Sequence, residues 1–78
     1  MEAAATRIEE ALKNGSTRLD LSQMGLNALP PNFTQIAPKL TVLNLWENKF
    51  QSVPREMSLC ANLENLYFSQ NELMTGFG

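Results

Sequence analysis

The pattern from Leu40 to Phe50, LTVLNLWENKF, returns twice in this chain, and the return limits the folds open to it. Apolar residues stand at Leu40, Leu43, Leu45 and Phe50, with Asn48 between the last two. A forward shift of 23 residues brings Leu63, Leu66, Phe68, Asn71 and Leu73 onto the same places. A backward shift of 24 brings Leu19, Leu21 and Leu26 into line. Outside this core, Leu29-Pro30 aligns with Val53-Pro54, Phe33 with Met57, and Ile36 with Cys60. Self-similarity at such a period builds a stack of equivalent units, none of which can bury its apolar side without a neighbour.

The local chemistry of each unit follows from its spacing. Leu43 and Leu45 are two apart, so on a short strand both point inward while Asn44 and Trp46 point the other way. Asn48 falls where the chain leaves the strand, and its amide can bond backbone groups that a turn leaves bare. Phe50 and Val53 are expected to close the floor of the core. Pro30-Pro31 and Pro54 open the return segments, and Phe33 with Ile36 fits one helical turn under the strands. Met57 with Cys60 repeats that arrangement, and Leu59 falls off its register.

These residues resemble the leucine-rich repeat, in the Leu-Pro version found in intracellular interaction proteins. The resemblance covers about Ser16 to Leu73. It implies an α/β solenoid with parallel strands on a concave face and short helical or irregular return segments. The middle copy is complete. The first carries Ser16 in the place of Leu40, and Met24 in the place of Asn48, which is expected to weaken the turn ladder there. The third breaks at Gly76, in the place of Val53. Glu64–Phe68 (ENLYF) also looks like the opening of a viral protease site, but Ser69 precedes Gln70 in reversed order, and the register marks the run as a repeat.

Ala3 to Lys13 reads as a helix rich in good helix formers, with Ile8, Ala11 and Leu12 on one face. Gly15 supplies the stop and Lys13 suits the last turn. A solenoid exposes apolar edge at its ends, so residues 1–15 are expected to cap the first repeat. Residues 16–78 then hold about three repeats, the last incomplete, and self-association through that uncapped last repeat is expected.

Stacking the copies aligns Arg18, Val42 and Asn65; Asp20, Asn44 and Tyr67; Ser22, Trp46 and Ser69; and Gln23, Glu47 and Gln70. The expected binding face comprises Arg18, Asp20, Val42, Asn44, Trp46, Glu47, Asn65, Tyr67 and Ser69, with Asn48 and Asn71 as structural turn residues. Trp46 stands out, because a small polar residue there would favour solubility, and Ser22 and Ser69 beside it leave its ring accessible. A tryptophan and a tyrosine among amides fit a protein-binding hot spot. The competing reading is that Trp46 packs along the sheet and covers Tyr67.

Other functions find little support. The chain has no histidine, and its 6 basic and 8 acidic residues give a net charge of −2 with no basic stripe. Nucleic-acid binding is therefore not expected. No phosphate loop, CxxC pair or nucleophile elbow occurs, so no catalytic residue, metal or cofactor is expected. The single cysteine, Cys60, excludes a disulfide within the chain and reads as a buried thiol. No run is long and apolar enough to span a membrane and the N-terminus carries no apolar signal core. A cytoplasmic location follows as the expectation, leaving the acceptor patterns at Asn14 and Asn32 unused. The family resemblance implies a protein partner and a place in signalling, such as small-GTPase pathways or pathogen recognition. The alternative is a structural segment or fragment of a longer repeat protein with no ligand of its own.

Overall fold

The computed structural model describes residues 2–72. Its elements are α1 (Glu2–Asn14), β1 (Arg18–Asp20), α2 (Phe33–Ile36), β2 (Val42–Asn44) and β3 (Asn65–Tyr67). Two 3₁₀ turns, Ala37–Lys39 and Arg55–Leu59, complete the return segments. The strands form one parallel sheet in the order β1-β2-β3. Leu19 pairs with Leu43 and Leu43 with Leu66, which is the register of the sequence repeat. The expected architecture of parallel strands, short helical returns and an N-terminal helix is therefore observed.

The helix α1 stops where Gly15 takes a left-handed conformation, φ 66°. The Ser16 N–H donates to the Ala11 carbonyl at 2.9 Å and the Gly15 N–H to Leu12 at 3.3 Å. This pair of bonds is a Schellman stop, and a residue without Cβ takes the positive φ at no steric cost. The helix buries Ala4, Ile8 and Ala11 against the first repeat. Asn32 fastens the first return segment to it, its Nδ2 donating to the Ala5 carbonyl at 3.0 Å.

The core is the row of inward side chains. Leu19, Leu21, Leu26, Leu29, Phe33, Ile36, Leu40, Leu43, Leu45 and Phe50 are all buried. Pro38 falls where α2 tightens into the 3₁₀ turn at Ala37–Lys39, since proline lacks the N–H that a continuing α-helix needs. Phe50 packs on Phe68 with ring centroids 5.6 Å apart, joining the second repeat to the third.

Three expectations about burial need correction. Leu66, at an inward position, is 41% exposed, whereas Leu43 at the same place in the middle repeat is 0% exposed. Phe68 is half-buried as well. An inward residue is covered from both sides, and among the described residues β3 has a neighbour on one side only. Val53 does not close the floor but is 55% exposed, whereas Leu29 at the same place in the first repeat is 6% exposed. Cys60 is only partly buried, although burial still pushes its thiol up from the ordinary value. Leu73 and the break at Gly76 lie outside the described residues.

Candidate binding face

The outward residues of the sheet are brought into rows by the strand register. Arg18 lies beside Val42 and Val42 beside Asn65, and Asp20, Asn44 and Tyr67 form the next row. The ladder continues past the strands, with the Gln23 N–H donating to the Trp46 carbonyl at 2.9 Å and the Glu47 N–H to Ser69 at 3.1 Å. Trp46, Glu47 and Ser69 thereby extend the same surface. All nine expected binding-face residues thus lie on one contiguous strip. Val42 and Asn44, on the middle strand, are half-buried, and the other seven are exposed. Trp46 is 37% and Tyr67 54% exposed.

Two of these residues also hold the backbone. The Asp20 carboxylate accepts the Ser22 N–H at 2.9 Å and the Ser22 hydroxyl at 2.7 Å through the same oxygen, Oδ1. Asn44 Oδ1 accepts the Trp46 N–H at 2.9 Å in the equivalent turn one repeat on. Each side chain replaces a ladder partner as its strand ends. In the third repeat Tyr67 occupies this place and leaves its ring free for the surface. The Ser22 hydroxyl and then the Ser22 N–H hold the Asp20 carboxyl below the ordinary range, against a smaller opposing effect of burial; Arg7 adds a minor favourable charge.

The asparagine ladder reaches backward. Asn48 Oδ1 accepts the N–H groups of Met24 and Leu26, both at 3.0 Å, and both belong to the preceding repeat. Its Nδ2 donates to Leu21 at 2.9 Å and to Leu45 at 3.0 Å. Asn71 likewise accepts the Phe50 N–H at 3.1 Å and donates to Leu45 and Phe68 at 2.9 and 2.8 Å. Met24 therefore does not weaken the ladder as expected. An asparagine there would serve a repeat on the other side of β1, and α1, with its own helical bonds, occupies that side.

The row of Gln23, Glu47 and Gln70 has a feature that the sequence does not signal. All three adopt left-handed backbone conformations, with φ of 55°, 57° and 63°. Glycine or asparagine would normally mark such a position. Only the 24- and 23-residue spacing of the three long side chains links them in the sequence. The conformation turns the chain out of the strand toward the asparagine, and Gln23 Nε2 reaches Glu47 Oε2 at 3.4 Å across the row.

A second surface feature is a shallow polar depression lined by Asn27, Lys49, Gln51, Ser52 and Glu72. None of the nine face residues lines it. Among the described residues no group of three or more Cys, Asp or Glu side chains gathers as a metal site requires, and no helix is long and apolar enough to cross a membrane.

Comparison with known proteins agrees with this geometry. Over 35 residues, 45% of this chain, the sequence is 49% identical to the volume-regulated anion channel subunit LRRC8D of Rattus norvegicus. That stretch is 4% of the relative, so the chain spans a small fraction of its length. The family model described as leucine rich repeat matches residues 17–73, from just before β1 through Leu73. With that match covering most of its length, the chain belongs to the leucine-rich repeat family.

Proposed function

We propose that this chain acts as the helix-capped segment of a longer leucine-rich repeat scaffold, whose sheet face it helps to build. The observation that carries this reading is Leu66. Its side chain is 41% exposed at a place where Leu19 and Leu43 are 4% and 0% exposed. Leu59, at 45% exposed, adds to the apolar surface of the third unit. The side of the stack covered by α1 is closed, while among the described residues β3 has an unpaired edge of the kind that a further unit completes.

The test is to place a second copy of residues 51–73 directly after Leu73, which supplies one more return segment and one more strand. The extended chain should unfold at higher urea, and the Leu66 and Phe68 amides should gain protection from hydrogen exchange. Unchanged stability and unchanged protection at both amides would overturn the reading. Association of the original chain into dimers through β3, read by sedimentation, should disappear in the extended chain.

A second reading is favoured by the two aromatic rings on one face. Trp46 and Tyr67 both remain open to solvent on neighbouring strands, and their surroundings of amides and hydroxyls fit a surface that contacts a protein partner. In this reading the partner meets Arg18, Asp20, Val42, Asn44, Trp46, Glu47, Asn65, Tyr67 and Ser69. A cytoplasmic setting and a role in signalling remain proposals that accompany it.

A further inference from the structure

We infer that the sheet face receives an arginine-bearing segment of a protein partner, with the guanidinium over Trp46 between the carboxylates of Asp20 and Glu47. This rests on the second reading above and specifies the chemistry of the partner.

Three observations converge on that place. Trp46 presents part of its ring outward, and Ser22 and Ser69 on either side of it are too short to cover it. Asp20 lies on the adjacent strand, one row before Trp46, because it pairs with Asn44. Strand spacing puts the two Cα atoms roughly 8 Å apart. Glu47 follows Trp46 directly and is held by its left-handed backbone, which fixes the direction in which its side chain leaves. The register thus brings Trp46 near Asp20 of the adjacent unit, with Glu47 next to it in the chain, and all three are exposed.

The carboxylates are not used up by the fold. Both bonds from Ser22 go to Asp20 Oδ1, leaving Oδ2. Glu47 accepts one long bond from Gln23. Among the described residues no ion pair joins either of them to a cation. Arg7, whose charge acts weakly on Asp20, spends its Nη1 on the Asp20 carbonyl at 3.2 Å. Arg18 lies on the far side of Asp20 from Trp46. A planar guanidinium can stack on the ring and bond a carboxylate at its edge at the same time, which an ammonium matches less well.

Neighbouring repeats supply variants that should leave the fold unchanged. Asn44 occupies the place of Asp20 in the next unit, making the same turn, and Gln23 and Gln70 occupy the place of Glu47 with the same backbone. D20N and E47Q therefore remove charge without removing the turns. Trp46 is the single tryptophan, so its fluorescence reports the site directly.

The probe is the blocked peptide Gly-Arg-Gly-Arg-Gly, titrated beside its counterpart with citrulline in place of both arginines. The arginine peptide should change Trp46 emission saturably. The citrulline peptide and the D20N/E47Q protein should each bind about tenfold more weakly, in line with a cation on a ring and its flanking charges. A third protein, E9Q/E10Q, loses the same charge on the exposed face of α1 and should bind as the parent does. Equal binding of the two peptides, or equal weakening by E9Q/E10Q, overturns the inference while leaving Trp46 as a contact surface. No change in emission with either peptide also overturns it, and the wider reading is then judged by whether Trp46→Ala alters the partner binding of a longer array.

Discussion

The guanidinium of Arg7 donates to the carbonyl of Asp20 at 3.2 Å, in the place where a strand N–H stands in the other repeats. The Asn44 carbonyl accepts the Leu21 N–H at 2.8 Å, and the Tyr67 carbonyl accepts the Leu45 N–H at 2.7 Å, each from the preceding unit. Asp20 has α1 before it instead of a repeat, and one side chain of that helix supplies the missing donor. The helix thus closes the sheet edge by bonding as well as by packing.

These two contributions should separate under mutation. Arg7→Met keeps the aliphatic stem and removes the donor at an exposed position, so a loss of about 0.5–1 kcal/mol is expected. Ile8→Ala empties a site that is 0% exposed and should lose about 2–4 kcal/mol. Urea unfolding of the two variants checks the order. Equal losses would mean that the edge bond contributes as much as the packed face, against the expected order.

The asparagines should differ in weight although they occupy the same place in the repeat. Asn48 is 5% exposed and bonds two N–H groups and two carbonyls at 3.0 Å or less. Asn71 is only partly buried, and the Leu45 carbonyl it contacts is also held by Asn48. Asn48→Ala should lose about 3–4 kcal/mol, since buried groups left bare cost roughly 1–3 kcal/mol each. Asn71→Ala should lose about 1–2 kcal/mol on the same reasoning. Urea midpoints measure both, and a larger loss at Asn71 would contradict the ranking by burial and by the shared Leu45 carbonyl.

The limits of the sequence are visible in these same residues. The inward leucines, the strand register and the stop at Gly15 were all readable, because each depends on local spacing or on one residue's backbone freedom. The exposure of Leu66 was not readable from its own repeat, since burial depends on what lies on both sides. The direction of the asparagine bonds was equally hidden. Spacing shows that Asn48 sits at a turn, but only the stacking offset shows that it serves Met24 and Leu26. The rows of outward residues emerged from alignment alone, whereas the turn-holding work of Asp20 and Asn44 needed the three-dimensional path of the chain.

The left-handed row should respond to residue type in a predictable direction. Gln70 sits at φ 63°, where a long side chain is disfavoured and asparagine is tolerated. Gln70→Asn should stabilise the protein by a few tenths to about 1 kcal/mol, and Gln70→Val should destabilise it by more than about 1 kcal/mol. Thermal unfolding distinguishes them. If valine is accepted without loss, the backbone there does not hold the left-handed form in solution.

Asp20 should leave a signature in the acid limb of stability. Its carboxyl is held below the ordinary value, first by the Ser22 hydroxyl, then by the Ser22 N–H. A depressed folded pKa means that the unfolded chain takes up the proton first. The stabilisation is therefore complete above the ordinary carboxylate value of about 4 and is lost as pH falls through the lower, folded value. Comparing the parent with D20N isolates this contribution from the other carboxyl groups, because asparagine can make the same turn without titrating. The stability difference between the two should move against the parent as the solution is acidified below about pH 4. Ser22→Ala removes the hydroxyl and should shift the carboxyl back toward its ordinary value, narrowing the pH range of the effect. Urea midpoints across the acid range read the stability, and the side-chain carbon shift of Asp20 reads the titration itself. A parent-to-D20N difference that stays flat through the acid range would show that the Ser22 bonds do not favour the ionised carboxyl in solution.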